Sequence, residues 1–207
     1  MAQTITDKPA SLPRPHSPIT LDDYLELIDE EAYEVIDGVL IAMSPQHIKS
    51  SYTAHVIYNS LHPHVLKGKL GLVMMETVYA LEVEPGTRWL KGSLVPDVAF
   101  ISKERLRAHR DEYPDEQAYR VAPDLVVEVI SPSDPFSAVM RKVKRYLRYG
   151  VRLVIVVDPV NRVVHVFTPE NPSGLILDEN ETLTGAPVLP EWSISIKDML
   201  DAKPNLD

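Results

Sequence analysis

One stretch limits the possible folds of this chain more than any other. Asp124-Leu125-Val126-Val127-Glu128-Val129-Ile130 is a nearly continuous apolar run of strand length, the pattern of a strand covered on both faces. Ser131-Pro132-Ser133 breaks it. Asp134 then stands at the expected N-cap, and Pro135 at the first helical position. Phe136, Val139, Met140, Val143, Tyr146 and Leu147 recur at helical spacing, and Gly150 is a usual stop. Val151-Arg152-Leu153-Val154-Ile155-Val156-Val157-Asp158 is a second apolar run. Strand, amphipathic helix and strand within about 35 residues make a βαβ crossover, and hence a parallel pair of strands.

The rest of the chain builds around that unit. Thr20 begins a short acidic helix, with Asp23 in the acid position of a capping box. Tyr33-Glu34-Val35-Ile36 and Val39-Leu40-Ile41-Ala42-Met43 flank Asp37-Gly38, a type I′ hairpin turn. Residues 48–66 suit a long helix, 70–83 one or two β segments, 96–101 a strand and 103–108 a short helix. Residues 161–167 return as an antiparallel strand. The expected fold is therefore α/β: a mixed β-sheet flanked by helices, preceded by an N-terminal helix and hairpin. Residues 1–18, with four prolines, and residues 203–207 read as tails. Residues 19–202 read as one domain, since no linker or repeat interrupts them.

Composition removes several function classes. The chain has no cysteine, so thiolate nucleophiles, disulfides, zinc fingers and iron–sulfur clusters are excluded. No apolar run reaches a membrane-spanning length, and the first residues lack the apolar core of a secretory signal. A cytoplasmic protein with no membrane contact is expected. The net charge of -9 argues against broad, salt-driven binding of nucleic acid. It leaves room for a small basic patch beside an acidic, metal-loaded site.

Two acids stand where acids are costly. Glu128 interrupts the most apolar strand, and Asp97 opens another apolar segment after Pro96. A buried carboxylate must be protonated, paired or metal-bound. On neighbouring strands, about 5 Å apart, the two would converge on one cation. Hard oxygen ligands without a His or Cys cluster suit Mg²⁺ or Mn²⁺. Asp124 shares a strand face with Glu128 but lies about 13 Å along it, too far to share an ion. It reads as a strand-start residue. Asp134 and Asp158 read as a cap and a turn residue. His62 and His64 flank Pro63, which should disturb regular geometry there, so they read as a surface helix end. The crossover helix carries Arg141, Lys142, Lys144, Arg145 and Arg148, either a solvated face or an edge for phosphates. Lys142 and Lys144 lie about 100° to either side of Val143, and both can reach over the sheet.

These residues resemble a known family. Pro96-Asp97, the run from Pro123 to Asp134, Lys142-x-x-x-Tyr146-x-x-x-Gly150-Val151, the Tyr33–Gly38 segment, Val157-Asp158-Pro159 and the Leu-x-Gly-x-x-Val-Leu-Pro of residues 183–190 are similar to the Uma-two family. That family lies in the PD-(D/E)XK, restriction-endonuclease-like superfamily. The resemblance implies that Asp97 and Glu128 bind metal, with the Val129 carbonyl beside them. The superfamily lysine two residues after the Glu is replaced here by Ile130; Lys142 on the next helix matches its migrated position, with Lys144 in reserve. Glu34 matches an N-terminal acid that completes the site directly or through a neighbour. Two positions depart from the pattern: Ser50 stands where a histidine usually opens the long helix, and Val154-Ile155 replaces an aromatic pair.

The resemblance implies a Mg²⁺- or Mn²⁺-dependent endonuclease. Its catalytic set would be Asp97, Glu128, Lys142 and Glu34, its metal ligands Asp97, Glu128 and Val129. DNA would be the substrate, cut to leave 5′-phosphate and 3′-hydroxyl ends, with contact confined to a patch built across a homodimer. The alternative expectation is a non-catalytic scaffold that keeps the nuclease-like fold as a partner-binding module.

Overall fold

The computed structural model describes residues 18–28, 32–43, 47–132 and 134–203. The segments 1–17 and 204–207, expected as tails, lie outside the described residues. The chain opens with β1 (Ile19–Thr20), α1 (Leu21–Ile28), β2 (Tyr33–Ile36) and β3 (Val39–Ala42). α2 (Ile48–Gly68) leads to β4 (Gly71–Met75), β5 (Tyr79–Val83), β6 (Trp89–Leu94), β7 (Val98–Ser102) and α3 (Lys103–Glu112). The crossover is β8 (Leu125–Val129), α4 (Phe136–Arg148) and β9 (Leu153–Asp158). β10 (Val163–Phe167), β11 (Leu175–Asp178), β12 (Thr182–Gly185), β13 (Leu189–Ser195) and α5 (Ile196–Asp201) follow.

Local chemistry explains the early elements. Thr20 Oγ1 accepts from the Asp23 amide at 3.1 Å and donates to the Asp23 carboxylate at 2.6 Å, so the first turn of α1 is capped. Asp37 and Gly38 have φ of 50° and 77°, the positive values that a type I′ turn demands at both central residues.

One sheet has the order β11-β10-β9-β8-β7-β4. Its neighbours are antiparallel except β8 and β9, which run parallel with Leu125 opposite Leu153 and Val129 opposite Val157. A second sheet is centred on β6, which pairs with β1, β2 and β5, while β3 hangs on β2. β12 and β13 form a separate hairpin.

Side-chain alternation assigns the two faces of the first sheet. Leu125, Val127 and Val129 of β8 pack with Ala54, Ile57, Leu61 and Val65 of α2, and with Trp192, Ile196 and Met199 beyond them. Val126 of β8 packs on the other face with Val139, Val143 and Tyr146 of α4, and with Tyr79 and Leu94 from the second sheet. Glu128 shares that second face. It is the polar residue that α4 and the second sheet cover together.

Three local expectations give way to tertiary structure. Pro135, not Asp134, caps α4, and it makes no side-chain cap hydrogen bond. Asp134 instead accepts the Ser131 amide at 2.9 Å, because a turn from Ser131 to Asp134 points its carboxylate backwards. Pro63 does not end α2, which runs on to Gly68. Leu61 and Val65 are buried on either side of it, and their burial offsets the lost hydrogen bond. Arg145 is not on a solvated face; it is buried between α4 and the second sheet.

Candidate active site

The two costly acids lie opposite each other. β7 and β8 are antiparallel with Val98 opposite Val127, so the next pair along is Asp97 and Glu128, projecting to one face. Both are buried, at 7% and 8% exposure. Asp97 Oδ2 accepts the Val129 amide at 2.6 Å, which continues the ladder with a side chain where β7 begins. The Ile130 amide donates to Val157 at 2.8 Å. The carbonyl at the other end of that peptide, on Val129, therefore points away from β9 and toward the Asp97 side.

α4 lays two groups over Glu128. Lys142 Nζ is 3.1 and 3.0 Å from its two carboxylate oxygens. Tyr146, one turn further, donates its hydroxyl to Glu128 Oε1. The spacing of four residues puts both on one helix face. The second sheet supplies another acid: Glu34 of β2 lies 3.1 Å from Lys142 Nζ and accepts the Val95 amide at 3.0 Å. Lys142 thus bridges a carboxylate from each sheet.

The charges are unevenly matched. Burial pushes the Asp97 carboxyl up, and the Glu128 charge adds to this; the Val129 amide and Lys142 pull it back, leaving it at about 7. Burial also raises Glu128, against the pull of Lys142. Desolvation works against the Lys142 charge, but Glu128, Glu34 and Asp97 together outweigh it and hold the amine as ammonium. Burial and the same carboxylates push Tyr146 well above the usual phenol range, so it is a neutral hydrogen-bond donor. With all three acids ionised, one ammonium leaves an excess of buried negative charge.

That excess, with an oxygen-only donor set, fits a hard divalent cation. Among the described residues no three His, Asp or Glu side chains converge as a metal cage on their own. The candidate ligands are two carboxylates and a backbone carbonyl: Asp97, Glu128 and Val129.

The other expected residues separate cleanly. Lys144 is exposed on the far side of α4 from Glu128. Asp124 accepts the Ser102 amide at 2.7 Å and pairs with Arg105 and Arg152 at 3.2 and 3.0 Å, so it ties the start of β8 to its surroundings. We expect Asp124→Ala to destabilise the fold by about 1–3 kcal/mol, since it removes the buried acceptor of a backbone amide and two arginines, while Mg²⁺ affinity measured by calorimetry stays unchanged. Asp158 accepts the Val160 and Asn161 amides at 3.0 and 2.9 Å, as a turn residue does. His62 stacks on Tyr58 within α2. Ser50 donates to the Ile130 carbonyl at 3.3 Å and accepts from Ser131 at 3.2 Å, joining the start of α2 to the strand that carries Glu128.

Sequence reasoning left three contributors without a role. Tyr146 reads as one more apolar-stripe residue, although its four-residue offset from Lys142 places it on the same face. Arg145, three residues after Lys142, reads as a surface cation. Glu76 gives no sequence signal at all. Its amide reaches the Pro96 and Asp97 carbonyls at 3.2 and 3.4 Å, and its charge helps to raise Asp97.

Comparison with known proteins agrees with this architecture. A family model named Uma2, described as "Putative restriction endonuclease", matches residues 21–197. Among solved structures, the chain is similar to a protein from Anabaena variabilis ATCC 29413 described as a "putative nuclease belonging to DUF820". The two share 23% identity and superpose with a TM-score of 0.73, over 88% of this chain and 98% of that one; at that identity the likeness establishes the fold. No curated protein gives a significant match. With the family model spanning most of the chain and every residue of the Asp97–Glu128–Lys142–Glu34 cluster, the chain belongs to the Uma2 family and has its nuclease-like fold.

Proposed function

We propose that the protein is a metal-dependent endonuclease that hydrolyses DNA phosphodiester bonds at the Asp97–Glu128 face. One observation carries this reading. Two buried carboxylates stand opposite each other on adjacent strands, with an ammonium 3.0 Å from one of them. Asp97, Glu128 and the Val129 carbonyl would hold Mg²⁺ or Mn²⁺. A divalent ion bound there supplies Lewis acidity toward the phosphate and lowers the pKa of a bound water.

The chain's own residues do the rest. Lys142 places a fixed positive charge at the edge of the site, where it orients the attacking water or stabilises charge on the phosphate. Glu34 holds that amine from the second sheet. Tyr146 keeps the Glu128 carboxylate in one rotamer by hydrogen bonding to it. Substrate contact is confined to the basic edge of α4, where Arg141 is exposed beside Lys142, and a cytoplasmic homodimer would present two such edges. Among the described residues no helix is long and apolar enough to cross a membrane.

The test is a Mg²⁺-dependent cleavage screen over duplex, nicked, branched and single-stranded DNA, with RNA alongside. Glu128→Ala should lower the rate by about 10³-fold or more, the scale of losing a principal electrostatic group. Undiminished cleavage by the purified variant would reject the site. The scaffold reading draws on the engagement of both Glu128 oxygens by Lys142. It requires that calorimetry detect no Mg²⁺ binding, and that an Asp97→Asn, Glu128→Gln double variant lose no stability.

A further inference from the structure

β2 and β6 pair at Ile36 and Gly92, and their ladder goes no further toward Glu34 among the described residues. The backbone groups beyond that point are taken by side chains. The Val35 amide donates to Ser93 Oγ at 2.8 Å. The Val95 amide donates to Glu34 at 3.0 Å. The Val35 and Ser93 carbonyls both accept from Arg145 Nη2, at 2.8 and 3.2 Å. Arg145 thus stands in for the missing cross-strand bonds, one residue along β2 from Glu34.

A hydrophobic residue would fill this interior position more cheaply. Arg145 is 8% exposed, and its Nε and Nη1 make no hydrogen bond with another described residue. Unpaired buried donors weaken a fold. A residue that breaks a local rule in this way, beside a functional cluster, is expected to serve that cluster. The geometry is selective: α4 reaches adjacent residues of β2 with cations three positions apart, Lys142 to the Glu34 carboxylate and Arg145 to the Val35 carbonyl. Arg145 Nη2 donates to backbone carbonyls and not to Asp97 or Glu128.

We infer that Arg145 is a positioning residue that holds β2 and β6 so that Glu34 grips Lys142, an inference that rests on the nuclease reading of the site. Glu34 then anchors the amine and is not a metal ligand. The helix and the second sheet are coupled through two cations, one on a side chain and one on the backbone.

A double-mutant cycle tests this, using Arg145→Met, Arg145→Lys, Glu34→Gln and the Arg145→Met, Glu34→Gln pair in the full-length chain. Three quantities are read: kcat and KM with Mg²⁺, the Mg²⁺ Kd by calorimetry, and the acylation rate of the Lys142 amine by mass spectrometry without metal. Arg145→Met should lower kcat about 10–100-fold, the range for groups that orient an active residue, with KM and Mg²⁺ Kd nearly unchanged. Lys142 acylation should rise about tenfold, within the range of coupling between neighbouring residues. Glu34→Gln should do the same, and the pair should lose no more than Glu34→Gln alone. Arg145→Lys, able to reach one carbonyl, should recover part of the effect; it also carries the test should the Met variant not fold. Additive losses, an unmoved acylation rate, or a Mg²⁺ Kd weakened in step with kcat would each overturn the inference. Should the wild-type chain cut no substrate, the nuclease reading falls, while the acylation cycle still decides whether Arg145 acts through Glu34.

Discussion

Replacing Lys142 by Met is expected to destabilise the metal-free protein by about 3–5 kcal/mol, the scale for removing one member of a buried ion pair, and to abolish cleavage. The amine is the shared cation of Glu128 and Glu34 and also draws on Asp97. Without it, the buried Glu34, Glu128 and Asp97 carboxyls lose their shared cation. The loss should depend on pH: largest near pH 8, where Asp97 is ionised, and smaller near pH 5, where burial keeps Asp97 protonated. Urea unfolding at the two pH values measures this. Added Mg²⁺ should restore part of the stability, because a bound cation offsets the same charge, but not the cleavage. A variant within about 0.5 kcal/mol of wild type at pH 8, the range of ordinary surface substitutions, would show that the bridge is not a structural element of the site.

The metal-free protein should lose stability as pH rises through neutrality, and Mg²⁺ should reverse that loss. Asp97 titrates at about 7 in the fold against 3.8 when unperturbed. Between those values the folded chain binds more protons than the unfolded chain, so the free energy of unfolding falls as pH increases. The contribution is complete below pH 4 and gone above about pH 8. From pH 5 to pH 8 the loss is about 2–3 kcal/mol, at 1.36 kcal/mol per unit up to the folded pKa of about 7. The raised Glu128 adds in the same direction. A divalent ion must displace the Asp97 proton, so Mg²⁺ affinity should climb over the same window. At 100 times its Kd the ion should add about 2.7 kcal/mol. Melting curves with and without Mg²⁺ at pH 5.5 and 8 check both signs. Asp97→Asn should flatten the metal-free profile and remove most of the Mg²⁺ response.

What could be read from residues and what could not follows the range of the forces involved. Strand β8, helix α4 and strand β9 are legible because burial on two faces and helical spacing both write short periods into the chain. The Asp37-Gly38 turn is legible because its backbone angles suit few other residues. The exclusion of Asp124 from any shared metal follows from rise per residue alone. Local rules fail at Asp134 and Pro63. At Asp134 a tight turn redirects the carboxylate, and at Pro63 the burial of Leu61 and Val65 outweighs a helix breaker.

By itself the amino-acid order determined the crossover, the hairpin turn, and the presence of two acids that an apolar interior must answer for. Only the packed structure decided that Asp97 stands opposite Glu128, that Lys142 and not Lys144 meets them, that Glu34 arrives from outside the crossover, and that Arg145 of the crossover helix turns inward. The physical reason is reach. Periodicity and turn chemistry act over a few neighbouring residues, whereas strand register and the seating of the second sheet against α4 depend on groups 52 to 110 positions apart in the chain, which meet only once both faces of the first sheet have been covered.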